Sequence, residues 1–412
     1  MTEQFLQELP LEFRLLLCCL RTPPNSTEDF EQLTSHHLDW DRFLSWCDRH
    51  RVVPQVYGNL SGAWKKALPK MVLRDLRNQF LENTKHAMLR SAALVNLLKR
   101  FAERDLPVLS LKGTALALGI YGDLNLRHAG DMDLLIAPEH FDQADHIIRH
   151  AGYRNITPGI RHREHLHHLF SDAGYVSDAE GIPNTHRIRI ELHWRLTNLI
   201  SLPMDFHEVY YRSQTTVIAG YPEAVLNPED RLIYLMTHGS EHAWYRLGWL
   251  CDVAQILHRP EILDWPQIVA RTRDLGLERV VDQTMHLAHV LLGTPIPALM
   301  SPEPETGKQT AYLATSAIGA MLEPNSFLIE WKKHSVTQIL KGTIYRLRLH
   351  RGIRHKARIL RLMLVRPEDW DEISLPRPLF PLYYVLNPIL LILRRYRRYR
   401  RGHNQRNQSG RP

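Results

Sequence analysis

Apolar and polar positions change period several times along the chain, and each change marks an element. Between Glu82 and Asp105 apolar residues recur every three or four positions, at Met88, Leu89, Ala92, Leu94, Leu97, Leu98 and Phe101. That spacing predicts a long helix with a broad apolar stripe. "LPVLSLKG" follows as a strand ending at Gly113, then "TALALGIYG" as a short helix. "RHAGDMDLLIA" (127–137) reads as a buried strand carrying two acids on one edge. A helix from Glu139 to about Ala151 comes next and closes at Gly152. In "RIRIELHWR" (187–195), Ile188, Ile190, Leu192 and Trp194 alternate with Arg189, Glu191 and His193, the signature of a half-buried strand. Residues 153–182 read as loop-rich with a strand at "HHLFSD", and Pro228 to about Gly293 as helical throughout. The first 80 or so residues read as helical and irregular pieces, and 301–310 as a Pro/Glu/Gly/Lys-rich linker. No repeat at solenoid spacing is present.

Composition narrows the class. The chain has 412 residues, 44% hydrophobic and 23% charged, which suits a soluble protein of two or three domains with ample core. Its four cysteines include the vicinal pair Cys18–Cys19 and no CxxC, so a reducing, cytoplasmic setting is expected. The N-terminal stretch starts with acids and has only a short apolar run, unlike a secretory signal. No apolar run reaches the roughly 20 residues of a spanning helix. The net charge of +8 hides an asymmetry: residues 332–412 hold 20 Lys and Arg against 4 Asp and Glu, so the rest of the chain is net acidic.

The chemistry concentrates at Asp131 and Asp133. Residues i and i+2 of a strand project to one side, and two carboxylates so placed repel unless a cation lies between them. Hard divalent cations such as Mg²⁺ fit, because they prefer carboxylate oxygens and keep positions open for phosphate. A solvated strand end, or an Asp capping the next helix, accounts for the pair equally well on its own. Lys112-Gly113-Thr114, between a strand and a helix, adds a phosphate cradle: glycine admits close backbone approach and the helix start offers free N–H groups. A third carboxylate is expected from Glu191 on the polar face of the clearest strand, with His193 beside it and Asp172 in reserve. An exposed sheet charge and a satisfied surface imidazole are the plain alternatives for those two.

"LKGTALALGIYGDLNLRHAGDMDLLI", then "IELHWRL", then "PEDRLIYLMTHGSEHAWYRLGWLCDVAQIL" and "DWPQIV", over roughly residues 35–295, resemble the nucleotidyltransferase-5 group of the polymerase-beta-type nucleotidyltransferase superfamily. The resemblance implies an α+β fold, a small mixed sheet with packed helices, flanked by N-terminal and C-terminal helical regions. The expected division is 1–84 helical, 85–200 catalytic core, 201–298 a helical domain completing the cleft, and 299–412 a basic helical extension. It implies transfer of a nucleoside monophosphate from a nucleoside triphosphate such as ATP to an acceptor hydroxyl or phosphate. Asp131, Asp133 and Glu191 would be catalytic and would hold two Mg²⁺ (or Mn²⁺) ions. Lys112, Gly113, Thr114 and Arg127 would bind the nucleotide. The superfamily's glycine motif is usually Gly-Ser or Gly-Gly, and this chain departs from it with Lys-Gly-Thr. His238, His242 and Asp252 would line the far wall, near the acceptor. The acceptor stays open: a sugar, a metabolite, a peptide or a protein.

His238 and His242 sit one helical turn apart, a spacing that can bind zinc, but no third ligand accompanies them. The histidines of "RHREHLHHLF" have no ligand spacing and read as a loop over the substrate. In the C-terminal fifth, Ile339, Leu340, Thr343, Ile344 and Leu347 form an apolar stripe with basic flanks, followed by "PLFPLYYVLNPILLILRRYRRYRR". That pattern fits a peripheral anchor at the inner membrane surface, a plain solvated tail, or, less well, a nucleic-acid-binding tail. The competing functional readings are a non-catalytic binding or scaffold protein that keeps the fold, and an RNA-modifying enzyme that uses the tail.

Overall fold

A computed structural model describes residues 3–22, 27–158, 160, 169–178, 187–197, 202, 204–300, 307–323, 336–364, 370, 373 and 375–386. Its centre is a seven-stranded mixed sheet in the order β3-β4-β5-β2-β1-β7-β6. The strands are β1 (Leu109–Ser110), β2 (Met132–Leu135), β3 (Tyr153–Asn155), β4 (Asp172–Ser177), β5 (Arg189–His193), β6 (Gln214–Ile218) and β7 (Tyr221–Val225). β2 pairs antiparallel with β1 and parallel with β5; β4 runs antiparallel to β5. The principal helices are α1 (Leu11–Leu20), α2 (Trp40–Arg49), α3 (Val53–Asn59), α4 (Lys70–Ala102), α5 (Thr114–Tyr121), α6 (Phe141–His150), α7 (Pro228–Glu241), α8 (Leu247–Leu257), α9 (Glu278–Leu292), α10 (Gly307–Leu322), α11 (Val336–Leu349) and α12 (Ile353–Met363). The protein is therefore α+β, a mixed sheet with many packed helices.

Two apolar clusters hold it together. One joins the N-terminal helices to α7, α8, α9 and α10 through residues such as Phe13, Trp46, Trp244 and Leu313. The other lies on the sheet, where Met132, Leu134, Ile190 and Leu192 meet Phe101, Phe141 and Ile148. Trp370 and Tyr383, far along the chain, complete this second cluster.

Several elements differ from the sequence reading. α4 begins at Lys70, directly after Pro69, whose fixed φ suits a helix start. Its buried stripe is Ala87, Ser91, Leu94, Leu98 and Phe101; Met88 and Leu89 face outward. Ahead of the stretch read as helical from Pro228, the region assigned to a helical domain from residue 201 also holds a hairpin, β6–β7, which follows a short helix at Phe206–Tyr211. Ala219 and Gly220 both take positive φ, 47° and 79°, the two-residue turn that matches strand twist. α11, read as an amphipathic stripe open to an interface, packs on the body. Its Tyr345 is fully buried and its hydroxyl donates to the Ser240 carbonyl at 2.9 Å. Among the described residues no helix is long and apolar enough to cross a membrane. The histidine-rich loop at 161–168, residues 301–306 and the Arg-rich tail from 394 lie outside the described residues.

One buried acid ties the hairpin to the sheet centre. Glu223 on β7 is 2% exposed and accepts a hydrogen bond from the Ser110 hydroxyl on β1, two residues before Lys112. Burial pushes its pKa up from 4.5 to about 8. The folded state then holds a proton that the unfolded chain releases between about pH 4.5 and 8. Stability from this group is fully present at low pH and falls as pH rises through that window, at up to about 1.4 kcal/mol per pH unit. Glu223→Gln is expected to flatten that slope. Denaturant unfolding at several pH values from 5 to about 8.5 would show an unchanged slope if the acid is ionised in the fold.

Candidate active site

The floor of the site follows from strand register. Asp133 pairs with Glu191 and Leu135 with His193 across the parallel β2–β5 ladder. Directly paired residues share a face, so Asp133, Glu191 and His193 project together while Leu134, Ile190 and Leu192 fill the core behind. Asp172 on β4 pairs with His193 from the other side. Asp131 stands one residue before β2 and lines the same cavity. The chain entering β2 is held by Asn83 of α4, which donates to the Arg127 carbonyl at 3.1 Å and accepts from the Ala129 N–H at 2.8 Å.

Among the described residues, Asp133, Glu191 and His193 form the group whose ligand atoms lie close enough to share one ion, all within 4.8 Å of one another. His193 Nε2 sits 3.5 Å from Asp133 Oδ1 and 3.6 Å from Glu191 Oε2. Neither ring nitrogen of His193 makes a hydrogen bond, although the residue is buried. A buried imidazole that makes no hydrogen bond, set between two carboxylates, fits a divalent cation that accepts nitrogen and oxygen ligands. Burial opposes a charge on His193, but Asp133, Glu191 and Asp172 outweigh it and raise its pKa to about 10. Burial, with the charges of Asp133 and Asp172, pushes Glu191 up despite the nearby imidazole. Its carboxylate still keeps 41% of its side-chain surface open to the cavity.

Lys112 comes from the turn after β1. Its Nζ donates to Asp133 Oδ1 at 3.1 Å and lies 3.4 Å from His238 Nε2. Burial would raise the Asp133 carboxyl, but the Lys112 charge and His193 hold it below the usual range. Gly113 takes φ 71°, which a side chain would strain, and starts α5. Lys112 and Gly113 line the cavity; Thr114 is buried in the first turn of α5. Arg127 is committed to Asp252 on α8: its Nε lies 3.1 and 3.0 Å from the two carboxylate oxygens, and its Nη2 3.0 Å from Oδ2. The Tyr121 hydroxyl also donates to Asp252, at 3.0 Å. Asp252 is thus an anchor for Arg127.

These walls enclose a cavity of about 680 Å³, within the range of small-molecule sites. His238 and His242 stand on its far side with ring centroids 4.7 Å apart, His238 edge-on to Trp249. Burial together with the charges of Lys112, Arg346 and Arg246 pushes His242 down to about 3. With the Lys112 ammonium 3.4 Å from His238 Nε2 and arginines nearby, the pair is a poor place for another metal ion. Sequence reasoning missed Arg51, Arg246, Glu241 and Arg346, which also line the cavity. Arg346 comes from α11, anchored by its neighbour Tyr345, and no local motif signals that a basic C-terminal helix reaches the cleft.

A family described as uncharacterised nucleotidyltransferase matches residues 36–293. The chain belongs to that family. No curated protein and no solved structure matches it. Membership in a nucleotidyltransferase family implies a nucleotide substrate, and a buried Asp/Glu/His cluster able to bind metal lies on the floor of the cleft. Arg346 lies beyond the matched residues, so the wall of this nucleotidyltransferase cleft includes chain from outside the family segment.

Proposed function

We propose that the protein is a metal-dependent nucleotidyltransferase that moves a nucleoside monophosphate from a nucleoside triphosphate to an acceptor hydroxyl or phosphate. The observation that carries this reading is the register of Asp133 opposite Glu191, with His193 between them and its ligand atom close enough to share one ion with theirs, inside a cavity of nucleotide size. Asp131, Asp133 and Glu191, joined by His193, would hold Mg²⁺ or Mn²⁺, and Asp172 stands behind them. When bound, such ions polarise the phosphoryl oxygens and lower the pKa of an attacking hydroxyl. The floor acids and His193 would set where the reacting phosphate sits only through the ions they would hold. Lys112 keeps the Asp133 carboxylate ionised. The acceptor oxygen bonds to the α-phosphorus in line as the α–β bridging bond breaks; pyrophosphate leaves and the acceptor proton passes to solvent. His238, His242 and the Glu241–Arg346 region form the wall where an acceptor would lie.

The test is incubation with each α-labelled nucleoside triphosphate, Mg²⁺ and cell extract, followed by identification of labelled product. A labelled acceptor is expected, together with Mg²⁺-dependent thermal stabilisation by one or more triphosphates that is lost in the Asp131→Asn/Asp133→Asn double variant. No label and no stabilisation by any of the four triphosphates would favour a non-catalytic binding protein that keeps this fold. Salt-sensitive RNA binding lost on removing residues 394–412 would favour an RNA acceptor instead.

A further inference from the structure

The cations of the cleft divide into two kinds. Lys112 and Arg127, the two expected to bind nucleotide, are each locked to a buried carboxylate, Asp133 and Asp252. Arg51 and Arg246 line the same cavity with no such pairing among the contacts described, Arg246 lying instead over the rings of Tyr245 and Trp249 at 5.1 and 5.5 Å.

The fold builds this pair deliberately. Arg51 takes φ 57°, a left-handed conformation costly for a long side chain, in the short turn between α2 and α3. The turn is clamped to the start of α8: His50 Nδ1 accepts from the Leu247 N–H at 3.3 Å, and the His50 carbonyl accepts from the Gly248 N–H at 3.1 Å. A Cβ on Gly248 would meet the His50 carbonyl at 3.0 Å and the Arg51 carbonyl at 3.3 Å, so a side chain there would push the two segments apart by a few tenths of an ångström. A Cβ on Gly130 would sit 3.3 Å from Arg51 Nη1; the guanidinium lies over the backbone just before Asp131. His128 lines the same wall, driven down to about 3 by burial and by the charges of Arg51, Arg127, Arg246 and Arg90. Arg51 itself is lowered to about 10 by burial and then by Arg246, with Asp131 offsetting part of the repulsion. A strained, clamped turn that brings like charges together is a place prepared for an anion.

We propose that Arg51 and Arg246, with His128 beside them, form an oligophosphate seat on the cleft wall next to the acid floor. Guanidinium forks suit phosphate oxygens, and the adjacent metal-binding acids could not hold phosphate themselves. Assignment of the seat to the β- and γ-phosphates of a nucleoside triphosphate rests on the function proposed above; a phosphorylated acceptor presents the same chemistry.

The test is calorimetric titration of the full chain with inorganic tripolyphosphate in EDTA, so that no metal carries the anion. Arg51→Asn suits the left-handed backbone and removes the charge, and Arg246→Gln removes the other; each is expected to weaken binding at least tenfold. Arg51→Lys is expected to fall between, and unchanged thermal melting without ligand checks each fold. No binding by the parent, or equal binding by the parent, Arg51→Asn and Arg246→Gln, overturns the seat. Competition between tripolyphosphate and nucleoside triphosphates assigns it to the donor, and simultaneous binding assigns it to a phosphorylated acceptor. Arginine-dependent binding of tripolyphosphate without any nucleotidyl transfer would overturn the proposed activity and leave the seat standing.

Discussion

Asp133→Asn is expected to lower nucleotidyl transfer at least about a thousandfold, because several kcal/mol of transition-state stabilisation pass through the ions it would hold and each ~1.4 kcal/mol is tenfold in rate. The variant also strips Lys112 of the carboxylate 3.1 Å away, in a setting where both side chains are under 10% exposed. An unpaired buried ammonium is costly, so lost activity alone would not separate chemistry from folding. Glu191→Gln makes that separation. Glu191 pairs in register with Asp133 and lies 3.6 Å from His193 Nε2, while the described contacts give it no ion pair with Lys112, so its neutral form is expected to shift the unfolding midpoint less than Asp133→Asn while losing activity to a similar extent. Single-turnover transfer of labelled nucleotide and denaturant unfolding, measured on both variants, check this. Transfer at the parental rate in folded Glu191→Gln would remove the acid floor from the mechanism.

The largest stability effect is expected at Asp252, which is 1% exposed and accepts from both Arg127 and the Tyr121 hydroxyl. Asp252→Ala leaves a buried guanidinium without its counter-charge, at a cost of about 3–5 kcal/mol. Arg127→Met/Asp252→Leu removes both charges and is expected to recover most of that loss, since an apolar pair avoids desolvation. A double-mutant cycle by urea unfolding measures the coupling. Additive losses in the cycle would mean that Arg127 does not depend on Asp252, and the account of the cleft's back wall would need replacing.

Strict alternation in "RIRIELHWR" placed Glu191 and His193 on one face of a strand, an inference that needs only local geometry; the i, i+2 spacing sets Asp131 and Asp133 in one cavity wall, but Asp131 falls outside the group close enough to share an ion. Which carboxylate each cation would choose is settled by tertiary contacts. Lys112 and Arg127 looked free for phosphate in the sequence, whereas folding brings Asp133 and Asp252 against them. Arg51 sits in an unremarkable "DRHRVV" run, and its role emerges only when α8 docks on the turn. The β6–β7 hairpin was missed because a turn of Ala-Gly is a weaker signal than Asn-Gly, and its strands carry threonine and glutamate that read as surface. That glutamate, Glu223, is buried against Ser110, which no pattern of period two or three announces.

The parallel pairing of β2 with β5 has a kinetic consequence. The two strands are separated in the chain by α6, β3 and β4, so their ladder closes a long loop and counts among the non-local contacts that slow folding. Until that ladder zips, Asp133 and Glu191 are far apart and their mutual repulsion is absent. The charge crowding at the floor is therefore met only when this non-local ladder closes. Divalent cations present during refolding should speed the closure of that ladder by offsetting the repulsion it brings.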